Sequence, residues 1–269
     1  MIHTLDVTFQ ELRDDLEQRG IDVSKPGFYE APKFQAAYGF DTYAEFVRQQ
    51  PYTPEYLAYA KGEVEALTWF LHSRIRDFGR MGACIDASEL MHRMLERRGV
   101  WCFTVKGGMT IHYRAAERHL PDGYYWPWSL NPELAAGHAW VWAPPYRIID
   151  STIRLEPYFD GEEELLPEFV LQENARPGEV EAVDIMMADE FWTLTGQELT
   201  LEAIDRRDPT LLPATARWGV RMCDYPECTV KYIPVAVSAP MYQLEAMEDN
   251  IECGTLPMDL MREYESERG

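Results

Sequence analysis

Cysteine is scarce in this chain: five residues in 269, an odd number spread widely. That excludes a disulfide framework and suits a reducing compartment. Positive charge is also in short supply, with 25 Lys and Arg against 46 Asp and Glu and a formal net charge of -21. A field of that sign repels phosphate backbones and anionic lipid, so nucleic acid is not an expected partner. A cationic or neutral substrate is easier to accommodate. No stretch approaches the roughly 18 uninterrupted apolar residues of a membrane helix, and Met1-Ile2-His3-Thr4-Leu5-Asp6 has neither a basic nor an apolar targeting region. The expectation is a cytoplasmic protein with no membrane partner.

What is present in quantity is apolar and aromatic. Hydrophobic residues make up 46% of the chain, with 8 Trp and 15 Tyr, enough for a large packed core and an aromatic-lined binding surface. Residues 1 to about 80 read as mostly helical. Thr8-Phe9-Gln10-Glu11 has capping-box spacing, with Leu12 and Leu16 following and Gly20 as a stop. Thr53 is an N-cap followed by Pro54 at the first helical position, and Leu57, Ala60, Val64, Leu67, Leu71, Ile75 and Phe78 form one stripe ending at Gly79. A second helix is predicted from Cys84 to Arg98, with Ile85, Leu90, Met91, Met94 and Leu95 on one face and Gly99 as its stop.

Strands follow. Val100–Val105 is β-branched and aromatic, Thr110–Tyr113 is short, and His138–Trp142 with Arg147–Thr152 reads as a hairpin around Pro144-Pro145. Between them, residues 115–136 are a long insertion carrying Tyr124, Tyr125, Trp126 and Trp128. Further on, Asp160–Glu164 reads as an acidic turn, Thr200–Arg207 as a short helix, and Thr229–Val237 as an edge strand, because it contains Pro234. The architecture expected is α+β, a helical layer against an antiparallel sheet, divided into an N-terminal helical extension (1–52), a catalytic core (53–155) and a C-terminal addition packed on the core (156–269).

Three residues carry chemistry. Cys84 starts a helix after the small pair Gly82-Ala83, where free backbone N–H groups and the dipole favour a thiolate. Asp86 in the same turn opposes this, so a base is needed. With the turn centred on Pro144, His138 falls opposite Asp150 on one face of the hairpin, close enough for the carboxylate to hold the imidazole tautomer. A one-residue slip would separate them. The backbone N–H of Cys84 is the natural first oxyanion donor.

The runs Gly82-Ala83-Cys84-Ile85-Asp86-Ala87-Ser88, Gly137-His138-Ala139-Trp140-Val141 and Arg147-Ile148-Ile149-Asp150-Ser151-Thr152, in the order Cys, His, Asp and 54 and 12 residues apart, resemble the three blocks of the transglutaminase-like superfamily. The resemblance covers residues 55 to 155. It implies a papain-related core with Cys84 as nucleophile, His138 as general base and acid, and Asp150 as orienter. An amide or peptide bond would be cleaved or exchanged through a Cys84 thioester, with hydrolysis favoured over transamidation. Candidate substrate contacts are Trp140, Tyr125, Trp126 and Trp128, and the substrate would be a peptide, protein or small amide. The upstream Trp or Gln that relatives use as an oxyanion donor is not found.

Other readings stand beside this one. A coenzyme A-dependent acyltransferase is the weaker variant, because no basic cluster is visible to hold phosphates. A catalytically silent fold that binds a peptide or protein in the same groove is the alternative of a different class. Cys223 and Cys228 flank Pro226, but zinc needs about two further ligands at matching spacing, and Cys253 alone does not supply them. They are read as structural thiols, and no metal or cofactor is expected. His72 and His92, on helices with no visible partner, are read as fillers, and Glu162-Glu163-Glu164 as a solvated face.

Overall fold

The computed structural model describes residues 7–114, 120–129, 137–159, 161–247 and 254–268. The N-terminal segment is helical: α1 (Phe9–Gln18), a 3-10 turn at Phe28–Glu30, α2 (Pro32–Gln35) and α3 (Phe40–Gln49). The capping box at Thr8 is formed, the Thr8 N–H donating to Glu11 Oε2 at 2.9 Å. Helix α4 (Pro54–Phe78) opens on the Thr53 cap and closes on Gly79, whose φ of +79° suits glycine. Along its stripe Ala60, Val64, Leu67, Leu71 and Ile75 are buried, whereas Phe78, in the last turn, is exposed. Helix α5 (Cys84–Arg97) buries Leu90, Met91, Met94 and Leu95 but leaves Ile85 exposed.

The strands are β1 (Phe103–Tyr113), β2 (Gly123–Tyr125), β3 (His138–Ala143), β4 (Tyr146–Asp150), β5 (Val170–Gln172) and β6 (Arg176–Pro177). After α6 (Ala182–Ile185), α7 (Ala188–Thr195), α8 (Leu201–Arg207) and α9 (Leu211–Trp218) come β7 (Arg221–Asp224) and β8 (Cys228–Ser238), with α10 (Pro257–Arg268) last. All pairings are antiparallel, in the order β5-β4-β3-β1-β8-β7-β6 with β2 also on β1. The protein is therefore an α+β structure built on one mainly antiparallel sheet.

Two expectations about strands need correction. Residues 103–113 form one strand, because Gly107-Gly108 marks a close approach of backbones and not a break. A Cβ on Gly107 would lie 2.0 Å from the Ile233 carbonyl oxygen, and one on Gly108 2.6 Å from Pro127 Cδ. The strand bearing Pro234 is interior, between β1 and β7. Its proline is tolerated because β7 pairs only with residues 229–232, so the missing N–H costs no bond on that side, and the register shifts where Pro234 meets Gly107.

Strand alternation sorts the core. Val141, Ala143 and Ile149 pack with α4, α5 and α10. Trp140 and Ile148, pointing the other way, join the N-terminal aromatic cluster of Phe28, Tyr29, Phe34, Tyr43 and Phe46 with Tyr232 of β8. A third cluster, built on Ile185, Phe191 and Ile204, covers Ile233. The N-terminal segment is locked to α5 by Arg93, which is buried and donates to Tyr29, Glu96 and the Pro240 and Tyr242 carbonyls. His92 Nδ1 is hydrogen-bonded to Thr104 Oγ1 at 3.0 Å, and its Nε2 lies 3.3 Å from Glu96, so it is a core residue with a partner and not a bare filler. Among the described residues, no helix is long and apolar enough to cross a membrane.

Candidate active site

Cys84 is the first residue of α5. The preceding loop is tied down by the Gly82 N–H, which donates to the Leu155 carbonyl at 3.0 Å, and Gly82 itself takes a φ of +70°. The Ala83 cap supplies no side-chain oxygen, so the first-turn N–H groups of α5 are left to whatever binds there. Asp86, expected to oppose a thiolate, lies 3.7 Å from Arg80.

His138 opens β3 and Asp150 closes β4. His138 Nε2 donates to Asp150 Oδ2 at 2.7 Å, and both side chains are sealed from solvent, with relative exposures of 2% and 1%. Their register differs from the one assumed from the sequence. Val141 pairs with Ile149 and not Arg147, a shift of two residues: one comes from the turn, which pairs Ala143 with Tyr146, and one from the irregularity between Val141 and Ala143. An even shift preserves the face, so the two side chains still meet, diagonally.

Asp150 is held on every side. The Tyr232 hydroxyl donates to Oδ2 at 2.8 Å, and the Thr152 N–H and hydroxyl donate to Oδ1 at 2.9 and 3.2 Å. Burial opposes its charge, but His138 and these donors outweigh that and hold the carboxyl below the usual range. For His138, burial likewise disfavours charge, yet Asp150 and Cys84 together keep the imidazole well above the ordinary histidine value. Burial and Asp150 push the Tyr232 hydroxyl up, so it stays a donor. His72 supports the same segment, its Nδ1 lying 2.9 Å from the Ser151 carbonyl oxygen, so it too has a partner.

Glu156 is the member that sequence reasoning missed. Its carboxylate, Cys84 Sγ and a ring nitrogen of His138 lie within 4.8 Å of one another, all buried. His138 Nδ1 and Glu156 Oε1 are 3.9 Å apart, and neither has a hydrogen-bond partner. Burial, with Asp150 nearby, raises the Glu156 carboxyl above its usual value, although His138, Thr152 and Cys84 act the other way. No spacing rule points to Glu156. The only signal was a lone acidic residue six positions beyond Asp150, in a segment that reads as loop. Among the described residues this is the one group whose side chains could jointly hold a metal ion. Cys223 and Cys228 are buried free thiols on paired strands, and Cys253 lies outside the described residues.

Of the aromatic candidates, Trp140 and Tyr125 reach the site, their rings 6.3 and 6.2 Å from that of His138. Tyr125 also donates to the Pro157 carbonyl at 3.2 Å. Trp126 and Trp128 turn away, Trp126 Nε1 donating to the Val183 carbonyl and Trp128 packing against the third cluster. The insertion's other parts, 115–119 and 130–136, lie outside the described residues, as does Asp160. A surface cavity of about 310 Å³, lined by Arg80, Met81, Leu155, Glu156 and Tyr158 among others, opens onto the Glu156 side. Met81 and Ile85, flanking Cys84 in sequence, are exposed at 58% and 46%.

No protein-family model, no curated protein and no solved structure matches this chain.

Proposed function

We propose that the protein is a cysteine-dependent acyl-transfer enzyme acting on an amide or peptide bond, on a transglutaminase-like, papain-related core at residues 53–155. The observation that carries this reading is the buried pair His138–Asp150 at 2.7 Å, with Cys84 at a helix N-terminus beside the ring. Asp150 fixes the tautomer, leaving Nδ1 to take the thiol proton. The thiolate attacks the acyl carbon, the C–N bond breaks, and the imidazolium returns its proton to the leaving amine. Water, activated by the same imidazole, then releases the acid from the thioester. Hydrolysis is favoured over transfer to an amine because water is the default acceptor unless a site excludes it. Exposed Met81, which lines the cavity on the Glu156 side, gives the approach an apolar contact, which suits an apolar side chain next to the scissile bond of a peptide, protein or small amide.

The test is the rate of alkylation by iodoacetamide against pH, in the native protein and in His138→Ala. The expected result is a Cys84 that alkylates far faster than the other thiols near neutral pH and loses that advantage in the variant. Coincident profiles would remove the enzyme reading and favour the silent, peptide-binding alternative. Incorporation of a labelled amine would make the activity transamidation.

A second reading is favoured by the two unpartnered atoms, His138 Nδ1 and Glu156 Oε1, beside Cys84. Cysteine, histidine and carboxylate, with Asp150 behind the histidine, form a donor set suited to a zinc-like ion. On this reading, elemental analysis of protein purified without chelator finds one equivalent of metal that Cys84→Ser removes. Metal-free protein with a reactive thiol decides for the first reading.

A further inference from the structure

No basic cluster is contiguous in the sequence, yet the fold assembles one. Arg48 of α3, Arg147 of β4 and Arg221 of β7 all line a cavity of about 110 Å³ beside the sheet. Its walls are aromatic, including Trp140, Trp142, Trp218 and Phe103. Phe103 and Trp142 stack at 5.2 Å, and Phe103 lies 5.6 Å from Trp218.

The three guanidinium groups are not equivalent. Arg48 is held by Glu45 at 2.8 Å, by the Arg217 carbonyl at 2.9 Å, and lies over the Trp218 ring. Arg147 and Arg221 make no ion pair among the described residues, although the chain carries 46 carboxylates. Partial burial, and then the charges of Arg147 and Arg48, disfavour the cation on Arg221. Like charges have thus been gathered at an aromatic-walled cavity of a strongly acidic protein, with Arg147 exposed at its rim and the half-buried Arg221 carrying a cost that a bound anion relieves.

We propose that this cavity binds a small oxyanion carried on a flat apolar body, gripped at its charged end by Arg147 and Arg221 and along its body by Trp140, Trp142 and Trp218. Planar guanidinium groups match a carboxylate or phosphate in two-point geometry, and indole faces match a flat ligand. The location gives occupancy a consequence. Tyr232, which also lines the cavity, donates its hydroxyl to Asp150, and Trp140 lies against the His138 ring. A bound anion therefore touches two of the side chains that position the histidine and its carboxylate. The binding claim stands whether or not Cys84 is a nucleophile.

The full-length protein is titrated with benzoate, with its neutral isostere benzamide and with inorganic phosphate, read by calorimetry and by the fluorescence of the wall tryptophans. Benzoate is expected to bind saturably and benzamide at least about tenfold more weakly. Arg147→Met and Arg221→Met should each weaken benzoate about tenfold, while Arg262→Met, on the exposed face of α10, leaves it unchanged. Displacement of benzoate by phosphate assigns the natural head group as a phosphate, and failure of phosphate to compete assigns it as a carboxylate. The proposal is overturned if neither anion binds the native protein, if benzamide binds as tightly as benzoate, or if both methionine variants retain full affinity. The comparison of benzoate with benzamide needs no variant, so it decides even if an arginine substitution impairs folding.

Discussion

His138 and Asp150 are joined by a 2.7 Å hydrogen bond although they are not cross-strand partners: the hairpin register is two residues away from the one that would place them opposite each other. The diagonal contact is sustained from outside the hairpin, by the Tyr232 hydroxyl of β8 and the Thr152 N–H, which fix both carboxylate oxygens.

Asp150→Asn is therefore expected to keep the fold and lose the chemistry. An amide can accept from Tyr232 or Thr152 and remain packed, but it no longer compensates an imidazolium. By analogy with the orienting aspartate of serine-protease triads, a loss of about 10³- to 10⁴-fold in turnover is expected. Alkylation of Cys84 at neutral pH should slow in parallel, and the thermal midpoint should fall to the extent that the buried His138–Asp150 ion pair contributes stability, with the fold retained. An Asn variant that alkylates at the native rate would show that Asp150 does not act through His138.

Tyr232→Phe removes one hydrogen bond to Asp150 and leaves the ring packed. One charge-assisted bond is worth about 1.5–3 kcal/mol, so roughly a tenfold or greater loss in turnover is expected. Asp150 would titrate closer to the ordinary carboxylate value, moving the acidic limb of the activity profile upward. A native acidic limb would place the control of Asp150 in Thr152 and His138 alone.

Gly107→Ala should be among the most damaging single substitutions, because the new Cβ falls 2.0 Å from a backbone oxygen of β8, and a strand cannot yield as a side-chain tip can. A loss of about 3 kcal/mol or more is expected in urea unfolding. Gly62→Ala, on α4 with nothing within 4 Å, is the control and should be neutral or stabilising by up to about 1 kcal/mol.

The same residues show what was legible in the sequence. Helix caps and stripes are local, so Thr8, Thr53, Gly79 and Gly99 could be placed from neighbours within four positions. The hairpin and its chemical pair could be read because strand parity survives an even register shift. What escaped reading depends on distant segments. The Gly107-Gly108 pair fell between the two expected strands because its reason lies elsewhere: Gly107 faces the β8 backbone, more than 120 residues on, and Gly108 faces Tyr125 and Pro127. Pro234 resembled an edge because the short reach of β7 is not encoded near it. Tyr232 and Glu156 enter the site from beyond residue 150, where no spacing links them to Cys84, and the arginine cluster is drawn from α3, β4 and β7.

Glu156 offers a pH test with a definite sign. Its carboxyl is buried, has an unpartnered oxygen and is raised above the usual value, so the folded state prefers it protonated. Such a group costs no stability at a pH below its unfolded value of about 4.3. The cost grows as pH rises from there to the raised folded value and stays constant above it. Glu156→Gln removes an ionisable carboxyl without removing volume, and should stabilise the protein by about 1–3 kcal/mol at neutral and alkaline pH, with the advantage vanishing in acid. His138 runs alongside with its own sign: its raised value gives stability that is present below about 6.5 and lost as pH rises through the folded value. Comparing unfolding of the native, Glu156→Gln and His138→Ala proteins from acid to alkaline pH separates the two. A Glu156→Gln variant destabilised at neutral pH would mean that the carboxylate is ionised and held by the imidazolium, making Glu156 a working part of the Cys84 site and not a tolerated buried acid.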